Sequence, residues 1–168
     1  MPVTRRLLPA AVAAAAAALL GGCAQVGTAL VADDTATRDT DSGEVTAGGR
    51  IDVFALSVGD CLDDQSEEQV YDVPVVPCSE PHAYEVFHEA VLPDGAWPGE
   101  ESVWAAADEA CYAAFSGFVE LPYEESVLEF TSYTPTQVSW EEGGDRIVSC
   151  IIGEPGVQST GSLAGATR

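Results

Sequence analysis

Lysine and asparagine are absent from this chain, methionine occurs once, and six arginines stand against 28 acidic residues, for a formal net charge of -22. Two of those arginines, Arg5 and Arg6, lie in an N-terminal segment expected to be removed, so the mature chain is more acidic still. A surface of that sign repels nucleic-acid phosphates and anionic lipid headgroups. Nucleic acid is therefore not expected as a partner, and membrane attachment must come from something other than basic side chains. Cations and basic partners stay open. Without asparagine there is no N-glycosylation sequon. No apolar run reaches the roughly 20 residues that span a bilayer core. Also missing are the Gly-x-Ser-x-Gly elbow, the phosphate loop, the dinucleotide fingerprint and the His-Glu-x-x-His zinc motif.

The first 22 residues have the layout of an export signal: basic Arg5-Arg6, an apolar run from Leu7 to Leu20 broken by Pro9, then Gly21-Gly22. Leu20-Gly21-Gly22-Cys23 resembles the bacterial lipobox, which implies a diacylglyceryl group on Cys23 and cleavage just before it. Two or three acyl chains at about 0.8 kcal/mol per buried CH₂ would anchor the chain stably. Thr4-Arg5-Arg6-Leu7-Leu8 also resembles a twin-arginine signal, although a plain basic n-region is the simpler reading. Residues 23–50 are expected to be the lipidated cysteine and a flexible acidic linker. Treated as a coil, that linker would hold a domain about 28 Å from its anchor. Asp39, Asp41 and Glu44 around Gly43 faintly resemble a calcium loop, but the other ligand positions are missing and a solvated linker is preferred.

The foldable part, residues 51–152, is expected to be an α+β domain in which one amphipathic helix packs on a small antiparallel sheet with two disulfides. Ile51–Val58, Val70–Val76 and Ala83–Leu92 read as strands. Pro74 suggests an edge or a bulge in the second, and Glu85 and Glu89 are expected on the solvent side of the third. A helix should begin near Pro98-Gly99, with Glu100 and Glu101 in its first turn and an apolar stripe of Trp104, Ala107, Cys111, Phe115 and Phe118. Period two then returns in Leu128–Tyr133, Gln137–Trp140 and Arg146–Ile152, the last two read as a hairpin. Residues 153–168 are expected to be a disordered C-terminal tail.

Five cysteines are odd in number, but with Cys23 assigned to lipid the remainder is even. Cys111 lies on the apolar stripe and Cys150 shares a strand face with Val148 and Ile152, so a helix-to-sheet bond fits, leaving Cys61 with Cys78. The absence of any Cys-x-x-Cys pair argues against zinc. No metal and no cofactor are expected.

Val58-Gly59-Asp60-Cys61, then Val75-Val76-Pro77-Cys78-Ser79-Glu80-Pro81-His82 and Glu85-Val86, together resemble the septum-formation domain family of actinobacterial membrane proteins and lipoproteins. The helix with Cys111, Tyr133-Thr134-Pro135-Thr136, Trp140 and Cys150 extend the likeness over roughly residues 53 to 152. The resemblance implies a domain type and an envelope location, with no catalytic residues to carry over.

His82 and His88, with Glu80 and Glu85, could form a metal or acid/base set if the strand is regular. The preferred reading is that His82 ties its own turn together. The acidic run Asp60, Asp63, Asp64, Glu67 and Glu68 is read as a solvated loop. Trp104 and Trp140 are expected in the core and Trp97 exposed. The expected function is a non-enzymatic binding or scaffold module, lipid-anchored on the outer face of the cytoplasmic membrane. Its partner would be an envelope protein or cell-wall component, with a role in septum formation or envelope assembly. The alternative is a small hydrolase or metal-dependent enzyme using His82.

Overall fold

The computed structural model describes residues 34–63 and 71–168. Cys23, the expected export segment and the acidic residues Asp64, Glu67 and Glu68 therefore lie outside the described residues. The chain runs through β1 (Thr37–Arg38), β2 (Val45–Ala47), β3 (Gly49–Asp52), a 3-10 turn (Val53–Ala55), β4 (Cys61–Leu62), β5 (Asp72–Val76) and β6 (Tyr84–Val91). After α1 (Glu100–Val119) come a second 3-10 turn (Tyr123–Glu125), β7 (Glu129–Tyr133), α2 (Gln137–Glu142) and β8 (Ile147–Gly153). Strands β1 and β2 form a small ribbon, and the other six form one antiparallel sheet in the order β3-β5-β4-β6-β8-β7. The α+β class, the long helix on an antiparallel sheet, and both disulfides agree with expectation.

The sheet is covered on both faces. Against α1 lie Phe87, Leu128, Val148, Cys150 and Ile152, meeting Val103, Ala107, Cys111, Phe115 and Val119. On the other face Val86 and Ile151 join Leu62, Val73, Val75, Leu56 and Val45 in a second, smaller core. Two-sided burial is why Val148 to Ile152 is a continuous buried run, where a one-sided strand would alternate. The helix stripe follows strict four-residue spacing through Cys111. Val103 rather than Trp104 is therefore the inward residue, and Trp104 is 52% exposed. Trp97 reverses likewise: it packs against the core, edge-on to Trp140 at 5.5 Å.

Further expectations are corrected by local chemistry. Gln137–Trp140 is not a strand, because Thr136 caps a helix there. Its Oγ1 accepts from Ser139 N at 3.1 Å while Ser139 Oγ accepts from Thr136 N at 3.0 Å, a reciprocal capping box. The first strand is shorter than expected and gives way at Val53 to the 3-10 turn, which Asp52 caps. Pro74 sits in an interior strand. It pairs with Arg50, whose N–H and C=O turn away to Asp34 and Ala36, and its other side meets the end of the two-residue β4. The missing N–H thus falls where the ladder stops.

Both expected flexible ends are ordered in the described part. Residues 34–50 carry β1, β2 and the start of β3. The backbone of 34–36 lies so close over Gly49 that a Cβ there would come within 2.5 Å of Ala36 N. The C-terminal stretch buries Leu163 to 3% exposure in the main core.

Candidate functional site

The residues that the sequence singles out converge on that C-terminal stretch. His82 forms an antiparallel bridge with Ser159, its N–H donating to Ser159 O at 2.9 Å and Ser159 N–H returning to His82 O at 2.8 Å. Its imidazole is fully buried, with Nδ1 2.8 Å from Glu80 O, so it does hold its own turn. Nε2 has no hydrogen-bond partner among the described residues. Cys78 O accepts from Gly161 N at 2.6 Å, and the Cys61–Cys78 disulfide ties that turn to β4, where Cys61 stands opposite Glu85.

Glu85, expected on the solvent side, is 2% exposed. The expectation assumed a strand buried on one side, but this sheet is covered on both faces and residues 162–163 close over Glu85. Its carboxylate accepts from Ser162 Oγ at 2.7 Å and from Leu163 N at 2.5 Å. Beyond Leu163 the segment reaches α1, where Gly165 N donates to Phe118 O at 2.7 Å and Thr167 N to Val119 O at 3.0 Å. Those are carbonyls that a helix C-terminus leaves without intrahelical partners. The last ten residues are thus a strap from β6 to the end of α1, and His82, Glu85 and Cys78 are its fastenings. His88 is not gathered here; it is half-buried within β6, in register with Cys150.

The acidic groups divide in the same way. Asp60 is 3% exposed and takes a two-pronged ion pair from Arg38, at 2.5 and 2.6 Å, plus Ser57 N at 2.8 Å. That carboxylate raises the guanidinium pKa of Arg38 above its ordinary value. Asp63 accepts from Gln158 Nε2. Asp39 accepts from the N–H groups of Asp41 and Ser42 and from the Ser42 hydroxyl, which hold its carboxyl below the usual range. The faint calcium-loop pattern is therefore a hydrogen-bonded turn. Among the described residues no three His, Cys, Asp or Glu side chains gather as a metal would require.

Sequence reasoning missed Arg38, Ser162 and Leu163. A signal for them existed. In a chain with no lysine, each arginine among the described residues is a scarce cation, and all four are paired: Arg38 with Asp60, Arg50 with Asp72, Arg146 with Asp94, and Arg168 with Glu154. Arg146 also lies 3.7 Å over the Trp140 ring. Leu163 is the single large apolar residue of the last ten, which marks an anchor rather than a frayed tail.

One of the faces open to a partner is the outward side of α1. Trp104, Asp108 and Tyr112 form a row next to the buried one, the two aromatics 52% and 50% exposed. Tyr112 donates its hydroxyl to Glu124 at 2.5 Å, which raises the phenol pKa and lowers that of the carboxyl. On the sheet side, a groove lined by Phe54, Glu89, Tyr133 and Ile147 has a volume of about 30 Å³. That is room for about one water, far below the size of a small-molecule site.

Among the described residues no helix is long and apolar enough to cross a membrane. No curated protein and no solved structure matches the chain. A family model described as septum formation matches residues 22–158, most of the sequence. With its disulfide-braced α+β fold and the Cys78-to-Glu85 turn in place, the chain belongs to the septum formation family, which links it to septum formation and the cell envelope.

Proposed function

We propose that the chain is a lipid-anchored, non-enzymatic contact module on the outer face of the cytoplasmic membrane, serving septum formation by holding an envelope protein or cell-wall partner. The observation that carries this reading is the use made of Glu85 and His82. The carboxylate is occupied by Ser162 and Leu163 and the imidazole is enclosed beside Ser159, so both serve to fasten the strap. A rigid body fastened in this way suits recognition by surface contact. The anchoring part rests on Leu20-Gly21-Gly22-Cys23 behind a short apolar run.

The test is crosslinking of the full chain in its own cells, with mass spectrometry of both its N-terminus and the captured proteins. A lipid-modified Cys23 together with captured septal or envelope proteins is expected. An unmodified N-terminus would overturn the anchoring. Turnover of a peptidoglycan, ester or peptide substrate by the purified chain, abolished in a folded His82→Ala variant, would overturn the non-enzymatic reading.

A further inference from the structure

The exposed row of α1 is chemically one-sided. The segment 100–120 holds Glu100, Glu101, Asp108, Glu109 and Glu120, with no lysine, arginine or histidine. Within the rest of the described chain no cation is left over, because all four arginines are engaged with Asp60, Asp72, Asp94 and Glu154. The helix also lacks a basic residue in its last turn, where the macrodipole favours one, and Glu120 sits at its C-cap instead. Counter-charge for this face must come from outside the described fold.

Acidity alone would attract any cation, but the two aromatics narrow the choice. Trp104 and Tyr112 lie eight residues apart on one row, about 12 Å at 1.5 Å per residue, with Asp108 between them. Both rings are half exposed; that of Tyr112 meets Tyr123 edge-on at 5.9 Å and its hydroxyl donates to Glu124. A planar guanidinium can stack on a ring while its N–H groups pair with a neighbouring carboxylate, which the strongly hydrated lysine ammonium does less well. Arginines four apart share one face of an extended segment and are about 13 Å apart, close to the separation of the rings. From this juxtaposition we infer that the outer face of α1 docks an arginine-rich extended segment of a protein partner, seated across Trp104, Asp108 and Tyr112. The inference rests on the contact-module reading and gives that module a contact surface and a partner chemistry.

The test uses the full chain in detergent micelles and a fluorescent peptide of four arginines separated by Gly-Gly-Gly, followed by anisotropy at about 50 and about 300 mM salt. Binding should weaken with salt, and the all-lysine version of the peptide should bind several-fold more weakly. Trp104→Ala combined with Tyr112→Ala should lower affinity about four- to twenty-five-fold, at two- to fivefold per ring, while leaving thermal unfolding close to the parent. Asp108→Asn should flatten the salt dependence. Equal affinity of the double variant, equal binding of the lysine peptide, or no binding of the parent at low salt each overturns the inference. In-cell crosslinking of the same double variant separates the two levels. If septal proteins are still captured, the module reading stands and this surface is not its contact; if the parent captures none, that reading fails first.

Discussion

Replacing Glu85 with alanine should release the C-terminal strap. In the folded chain its carboxylate accepts from Ser162 Oγ at 2.7 Å and Leu163 N at 2.5 Å, and Leu163 is 3% exposed. Hydrogen bonds to a charged group contribute about 1.5–3 kcal/mol each. Full burial of a leucine side chain contributes about 1.5–3 kcal/mol more, of which the strap would lose part on loosening. Removing a buried carboxylate also removes its desolvation cost, which offsets some of the loss. A net destabilisation of about 2–4 kcal/mol follows, against a total of about 5–15 kcal/mol for a domain. Equilibrium denaturation with disulfides intact gives the stability. Hydrogen exchange gives the location, with protection expected to fall at residues 159–167 and at the C-terminal end of α1, and to hold in β6 and β8. A loss under 1 kcal/mol, or unchanged protection in the strap, would refute the role assigned to Glu85.

Breaking Cys111–Cys150 by a double alanine substitution should cost about 4 kcal/mol and breaking Cys61–Cys78 about 3 kcal/mol, from sequence separations of 39 and 17; denaturant midpoints should rank them in that order. Arg38→Ala leaves the Asp60 carboxylate buried beside Ser57 without its cation, and should destabilise by about 3–5 kcal/mol, whereas Arg50→Ala at the more exposed pair with Asp72 should cost under about 1 kcal/mol. Glu124→Gln should return the raised phenol of Tyr112 toward an ordinary tyrosine in an ultraviolet pH titration. It should leave stability unmoved, because both groups face water. For Glu124 itself the lowered folded value means any stabilisation is present above the unfolded carboxyl pKa and fades as pH falls through the folded one. At an exposed position that effect should be undetectable in a pH series of unfolding midpoints.

Much of this protein was legible in the order of its residues. The four-residue spacing about Cys111 marked the helix, and Cys150 between Val148 and Ile152 marked its disulfide partner, because helix and strand periodicities are local properties. Likewise, Val58-Gly59-Asp60-Cys61 and the Cys78-to-Glu85 turn carried the family. Local capping and tertiary contacts decided the rest. Val138 and Trp140 offer too few apolar positions to separate period two from 3.6, so a capping box settled α2. Glu85 is in the core because the sheet is covered on both faces and Ser162 and Leu163 close over its carboxylate. The strap forms because Leu163 finds an apolar site and the N–H groups of residues 163, 165 and 167 find acceptors on β6 and α1, contacts up to 78 residues away in sequence. Composition therefore fixed the acidity and its lack of lysine, while the fold decided which few charges would be buried with a partner and which would be left facing outward on α1.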